Sequence, residues 1–504
     1  MFPIKPMIMI ARFLRLLTIV AVLSLMNGCT KPDDPKNGIL SGTIVLSNDT
    51  GNAALDPIDY SGVTIALYNL AQLDTTLLRI NQEYPTIGVI VNQHTDFDHR
   101  LQKPIKTIST NADGSFILDA ITPGIYNLAI LKSSWSLRYV YNIQISAGEN
   151  VLPGDAGSDK NTNLMLYPAR SMPSVVQEAT TFFDKHTYIF NNDTNILSDI
   201  VIEPGAFLAV AAGKQISFHA PMQVANSIGY WRVSSSHNLD QTTQLDSLNR
   251  IHCVNILQPS GAVSISKLIM DHSSEGLKVL SNSFQLEDSI LRLTSSLALL
   301  LQSQQNMINR TLLYKNKSRG IHSAVNTTSV SHCIFHNNED PLQLMATDST
   351  VQDSYFSQNF IGIRPIRGAC TISNNCFDQN DNAISLSASN PAIRLNNFYQ
   401  NTIDIELNYM YEDGLVYCSP TISQNNFLGS GFYVHCRGVN SYFGGSIYSS
   451  WAITANQTYP DNYLIEPNLQ THIYDANYPG VSQFDYTVSF IPRRSTSITN
   501  AGIL

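Results

Sequence analysis

Over the second half of the chain, apolar positions recur at an interval too long for a helix or a single strand. Phe335, Phe356, Phe377 and Phe398 lie 21 residues apart, and Tyr314 stands 21 before the first of them. Ile321, Leu342, Ile363, Ile384 and Ile405 form a second ladder at that interval, and Val330, Val351, Ile372 and Ile393 a third. A polar ladder, Asn338, Asn359, Asn380 and Asn401, follows three residues behind the aromatic one. Four registers sharing one period predict a chain that returns to the same place every 21 residues and stacks coil on coil. Around each apolar rung the pattern alternates, as in Asn382-Ala383-Ile384-Ser385-Leu386-Ser387, so the coils are built of strands with one face inward. Stacked Phe, Ile and Val then fill a continuous interior, and asparagines stacked at a bend can hydrogen-bond along the axis, as amide ladders do in cross-β assemblies. The period slips once: Asn425-Asn426-Phe427 follows Asn396-Asn397-Phe398 by 29 residues, which predicts an outward loop around Met410 to Tyr417. Upstream, Ile269-Met270 and Ile290-Leu291 keep the interval of 21.

Asp199 to Leu208 (DIVIEPGAFL) and Ala212 to Phe218 (AGKQISF), with the recurring Asn-Asn-Phe and Ile-Ser-Asn-Asn runs, resemble right-handed parallel β-helix proteins of the pectin lyase-like class. The resemblance spans residues 195–475. It implies an all-β rod of about 21 residues per coil with an outer groove, the place where enzymes of that class hold polymers. Bare coil ends invite pairing with another chain, so Val175 to Phe183 is expected to cover the first coil and residues 462–490 the last.

Ahead of the coils, from Gly38 to Met165, short alternating runs are separated by turn residues. Gly42-Thr43-Ile44, Asp113-Gly114-Ser115-Phe116 and Pro123-Gly124-Ile125-Tyr126-Asn127-Leu128 resemble the carboxypeptidase regulatory-like domain, a small seven-stranded β-sandwich. That resemblance implies a stalk or spacer without catalytic residues. Leu70 to Gln102 is longer than such a sandwich needs and is expected to form an elaborated loop. Asp113 is read as a turn residue.

At the start, Lys5, Arg12 and Arg15 precede the apolar run Leu16 to Met26, the layout of a secretory signal. Leu25-Met26-Asn27-Gly28-Cys29 resembles the bacterial lipoprotein processing site, which implies cleavage after Gly28 and lipidation of Cys29. A lipid membrane, taken as the outer membrane, is thus the expected partner through Cys29, with the protein facing periplasm or cell surface. The resulting partition is a signal peptide (1–28), a tether (29–38), the sandwich (39–165), a linker and N-terminal cap (166–194), the β-helix (195–475) and a C-terminal cap or tail (476–504). The six remaining cysteines show no CxxC and no Cys/His metal spacing, so buried free thiols are expected, a bridge staying open, and no metal.

Composition narrows the partners. With 14% charged residues, 43% hydrophobic residues and a net charge of -9, the chain has neither the basic stripe of a nucleic-acid binder nor the charge density of a disordered one. No Gly-rich phosphate loop stands between a strand and a helix, so no cofactor is expected. Candidate acids are Asp271 with His272 and Glu275, and Asp378 with Asp381 near the Asn380 bend. Carboxylates on neighbouring coils fall within the separations that glycoside hydrolysis uses, although each of these residues also suits a turn. His332 and His336 flank a strand and lack the helical HExxH geometry. Tyr399, Tyr409, Tyr411, Tyr417, Phe432 and Tyr433 cluster around the 29-residue coil, and aromatic faces beside Asn and Asp make a platform for sugars. The expected function is an exported, lipid-anchored, non-enzymatic protein that binds glycan or another surface polymer. The alternative is a polysaccharide lyase or glycoside hydrolase acting along the groove.

Overall fold

The computed structural model describes residues 37–48, 59–155, 163–225, 229–244, 249–324, 327–408, 410–412, 414–436, 438–443, 446–451, 453, 456–465 and 488–503. Cys29 and Tyr409 lie outside them. The chain is almost entirely β, and most of it is a parallel β-helix. Leu312–Tyr314, Arg319–Ser323 and Thr327–Ser331 make one coil; Ile334–His336, Asp340–Leu344 and Thr350–Gln352 make the next, each strand lying parallel on the one before it. First strands stack into a 13-stranded sheet, and most of the others into an 18-stranded sheet.

Phe335, Phe356, Phe377 and Phe398 pair in register, and Phe427 follows across the long step. Their rings stack with centroids 4.5–5.0 Å apart and planes within 16° of parallel, all fully buried. Tyr314 departs from the expected ladder. It pairs with His336, while Leu313 takes the inward place below Phe335, because that coil holds 22 residues and a one-residue shift turns a side chain to the opposite face. The long step emerges as the hairpin Met410–Glu412 with Gly414–Val416.

The asparagine ladder runs from Asn316 through Asn338, Asn359 and Asn380 to Asn401. Each backbone N–H and each Nδ2 donates to the next Oδ1 at 2.9–3.1 Å. A second ladder, Asn375, Asn396, Asn425 and Asn462, stands two residues before the inward aromatic or leucine and repeats that geometry. The first ladder ends where Ser430 follows Asn401. The serine is too short to continue it, and the Asp404 carboxylate accepts from Asn401 Nδ2 (2.9 Å) and Ser430 Oγ (2.6 Å) instead. Burial pushes the Asp404 carboxyl up to about 8. The folded state therefore keeps a proton that the unfolded chain releases, and stability contributed at acid pH is lost as pH rises from about 4 to about 8. Asp404→Asn is expected to remove that slope and to raise the urea midpoint at pH 8 relative to the parent; a midpoint lowered equally at pH 5 and pH 8 would contradict it.

Coils begin earlier than the period suggests. Arg170–Ser171 already pairs in parallel with Thr187–Phe190, and Val175–Val176 and Thr180–Phe182 are strands of the first coil rather than a cover over it. At the far end, Phe490 packs against Phe427 and Tyr459, with centroids 5.4 and 5.9 Å away.

The N-terminal region folds as two four-stranded sheets. Gly38–Leu46 lies among Ser115–Ile121, Gly148–Val151 and Asn163–Leu166, and Thr64–Asn69 among Lys106–Ser109, Gly124–Leu131 and Arg138–Ile145. Leu40, Ile44, Ile65, Phe116, Leu128 and Ile130 share one core between them. Residues 70–102 do not hang as a loop but leave the sheets and lie on the outer face of the 13-stranded sheet. Asp74 caps the helix Thr75–Glu83 by accepting from the Thr76 and Leu77 N–H groups, and Asn92 caps Gln93–Asp96 in a capping box. Leu77, Ile80, Ile87, Val89 and Val91 then bury against Ile269, Ile290, Leu312, Ile334, Tyr355 and Cys376. The sheet is thus apolar on both faces along these coils.

Candidate functional site

Beyond the helix Thr75–Glu83 the covered face opens into a cleft of about 450 Å³. The helix supplies Arg79 and Glu83, its C-terminal end Tyr84, and successive coils Tyr355, Asp378 and Tyr399. Arg79 organises it, donating to Asp378 Oδ2 at 2.8 Å, to the Tyr355 hydroxyl at 3.3 Å and to Glu83 Oε2 at 3.0 Å. Tyr355 donates to the same Asp378 oxygen at 2.8 Å, and burial, with the nearby Cys376 and then the Asp378 carboxylate, holds its phenol well above the ordinary range. The Tyr84 ring lies 5.6 Å from that of Tyr355, and burial pushes its phenol up to about 12. Asp378 and Tyr399 are register neighbours, so the period stacks acid beside aromatic. Across the bend from Gln379 runs a larger groove of about 920 Å³, bordered by Lys315, Lys317, Glu339, Phe360 and Asp381. Gln379 lines both cavities.

The structure thus brings Asp378 and Tyr399 together and sets Asp381 in the adjoining groove, exposed. It separates the other candidates. Asp271 and His272 face no groove: they lie buried beneath residues 95–100. There Arg100 grips Asp98 through two bonds (2.9 and 2.7 Å), Arg292 reaches Asp96 at 3.0 Å and Asp271 at 3.4 Å, and Arg232 donates to the Thr95 and Phe97 carbonyls. Burial pushes the Asp98 and Asp271 carboxyls up, but the guanidinium of Arg100 on one, and His272 with Arg232 and Arg292 on the other, bring both below the ordinary value. Burial lowers His272. A buried network of balanced charges welds the inserted segment to the coils. Glu275 stands apart, with Lys278 and near His252. Tyr433 is fully buried inside the coil against Phe427, at the buried position that Ala383 and Asp404 hold on the preceding coils, one residue before Val434, which continues the ladder of Ile384 and Ile405. Tyr417 is half-buried, and Tyr411 lies on the emergent hairpin strand. His336 is buried, its Nδ1 at 2.8 Å from Ser357 Oγ and its Nε2 at 3.3 Å from Asp74, so it anchors the inserted helix. All six cysteines from Cys253 onward are free and buried.

Arg79, Glu83 and Tyr84 escaped the sequence reading because they belong to no period and reach the coils across almost 300 residues of chain.

Fold and cleft together define a right-handed parallel β-helix with a surface cleft roofed by a segment of a preceding β domain. A family model described as "Periplasmic copper-binding protein (NosD)" matches residues 259–464, which include Asp378 and Tyr399 but not the inserted segment. No curated protein matches the chain. Solved structures similar to it include the catalytic domain of GH87 alpha-1,3-glucanase D1069A in complex with tetrasaccharides (11% identity, 91% of this chain and 89% of that one, TM-score 0.39). The Agl-KA catalytic domain is similar at 12% identity over 91% and 88% of the two chains, with a TM-score of 0.33. The catalytic unit of thermostable GH87 alpha-1,3-glucanase from Streptomyces thermodiastaticus strain HF3-3 is similar at 10% identity over 90% and 86%, with a TM-score of 0.29. Likeness at these scores carries none of their chemistry across.

The matched family's description raises the question of copper. Among the described residues, His252, Cys253 and Glu275 offer donor atoms within 4.8 Å of one another. They do not fit a cation: Lys278 sits on Glu275, and the Cys253 thiol, pushed up by burial, donates to Gln215 Oε1 at 3.3 Å. The second such group, Asp98, Asp271 and His272, is already neutralised by three arginines.

Proposed function

We propose that this protein is an exported, lipid-anchored β-helix that binds a polysaccharide at the cleft and groove beside Gln379 without cleaving it. The observation carrying this reading is the cleft itself, where Tyr84 and Tyr399 offer ring faces beside a fixed array of polar groups, Arg79, Asp378 and Glu83. Apolar faces with directional polar groups suit sugars. Both carboxylates of the cleft accept from one guanidinium, a poor arrangement for a general acid, which must carry a proton to the leaving oxygen. The matched family's periplasmic description agrees with the export signal ahead of Cys29. Fatty-acid labelling lost in Cys29→Ser tests the anchor.

The hydrolase reading has one observation in its favour, the approach of Glu83 and Asp378 to the two sides of Arg79. Retention on a panel of immobilised polysaccharides, with reducing and unsaturated ends assayed in parallel, separates the two. Binding weakened about tenfold by Tyr399→Ala, with no new ends formed, is the expected result. Release of ends that stops in Asp378→Asn would establish an enzyme instead.

A further inference from the structure

Gln358, Gln379 and Gln400 occupy one position on three successive coils, all exposed, and their side-chain amides are chained: Gln358 Nε2 donates to Gln379 Oε1 at 3.4 Å and Gln379 Nε2 to Gln400 Oε1 at 3.3 Å. The bend holds φ positive there on five successive coils, at 53° for Lys315, 52° for Asn337 and 52°, 56° and 48° for the three glutamines. Asparagine or glycine suits that conformation best, so the bend does not account for a run of glutamines. Gln358 and Gln379 line the groove and Gln379 and Gln400 the cleft, so the row passes between the two cavities with Gln379 common to both. One exposed ring flanks each side, Phe360 on the groove and Tyr399 on the cleft, at 54% and 36% exposure.

Charge sets the kind of sugar. The two cavities carry Glu83, Glu339, Asp378 and Asp381 against Arg79, Lys315 and Lys317. Arg79 is spent on Asp378 and Glu83, and the Lys315 ammonium lies 4.5 Å over the Tyr314 ring. With Glu83 and Asp378 answered by Arg79, Glu339 and Asp381 balance Lys315 and Lys317, so a polyanion meets no net positive field to offset its own charge. Amides, by contrast, both donate to and accept from hydroxyls. The rung spacing of about 4.8 Å is close to the length of one sugar in an extended chain.

Resting on the polysaccharide-binding reading above, we infer that the glutamine row is a specificity determinant for an uncharged, hydroxyl-rich glycan laid along the coil axis, about one sugar per rung, with uronate polymers rejected. The test is titration of the full chain with neutral, uronate and amine-bearing oligosaccharides of one to eight residues, followed by intrinsic fluorescence and calorimetry. Neutral oligosaccharides should gain affinity with each residue up to about five, the number of coils from Lys315 to Gln400, while uronates of the same length bind at least tenfold more weakly. Gln379→Ala should weaken neutral binding about tenfold with an unchanged unfolding midpoint. Gln379→Glu, which keeps the side-chain length, should weaken it as much. Tighter binding of uronates, or Gln379 variants that bind as the parent does while Tyr399→Ala does not, would overturn the inference and leave the binding reading standing. No binding by any member of the panel would overturn both.

Discussion

Asn380→Leu is expected to lower stability by about 4 kcal/mol, more than most single substitutions in a core of this kind. Asn380 is 1% exposed; its Oδ1 accepts from the Asn359 N–H and Nδ2, and its Nδ2 donates to the Phe356 carbonyl and to Asn401 Oδ1. Leucine has nearly the same volume, so no cavity forms and dispersion contacts are kept. What is lost is polar pairing. The buried Asn359 N–H and the Phe356 carbonyl lose their Asn380 partner at about 1–3 kcal/mol each, and the Asn359 amide keeps only its bond to the Phe335 carbonyl. Phe377→Ala makes the comparison, since removing a ring from the stack costs about 3–5 kcal/mol by cavity formation alone. Equilibrium urea unfolding of both variants checks the point. A loss of less than about 1 kcal/mol in Asn380→Leu would mean that water replaces the ladder's bonds and that the asparagines are dispensable.

The second large effect concerns the weld between the inserted segment and the coils. Arg100→Ala should cost about 3–5 kcal/mol, because Asp98 stays buried and loses its partner. Arg100 also donates to the Ser235 carbonyl at 2.5 Å and to Ser234 Oγ at 3.1 Å, so its loss leaves Arg232, which donates to the Thr95 and Phe97 carbonyls, to hold the segment to the strand Trp231–Ser235. The expected readout is a low unfolding midpoint with new proteolytic cuts between Glu83 and Asn92. Replacing both partners, Asp98→Leu with Arg100→Met, should recover much of the loss, since a buried ion pair adds little over well-packed apolar groups. A single variant as stable and as protease-resistant as the parent would show that the apolar contacts of Leu77 and Ile80 alone dock the segment. The same weld has a pH dependence. Burial, opposed by Asp98, lowers His99 to about 4, so the unfolded chain takes up a proton that the folded one refuses, and stability is lost as pH falls from about 6.5 toward 4.

The coil and its cleft were legible to different degrees. Phe356, Phe377 and Asn380 announce themselves because in a solenoid each residue's spatial neighbour lies one period away, so packing is written as spacing. Asp378 and Tyr399 also lie one period apart, yet the sequence reading leaves them in two separate groups, an acid pair and an aromatic cluster, and the strand register is what joins them. The period misled at Tyr314, where one extra residue decides the face, and Tyr433, expected among surface aromatics, is buried one position before the ladder residue Val434. A further signal was present but unread: Ile269-Met270, Ile290-Leu291, Leu312-Leu313 and Ile334-Phe335 are apolar doublets, the mark of a sheet covered on both sides.

Sequence alone therefore determined the repeated part of this protein: the coil, its aromatic stack, its first asparagine ladder and the interruption around Met410 to Tyr417, which the structure forms as a hairpin. Tertiary structure alone decided what covers the coil. The burial of Asp271, the clamp of Arg79 on Asp378 and the contribution of Tyr84 to the cleft all follow from a segment nearly 300 residues upstream docking on the sheet. Periodicity reports contacts between neighbouring coils because each coil repeats the last. A single non-repeating contact between distant segments leaves no interval to read, and only the fold brings its two halves together.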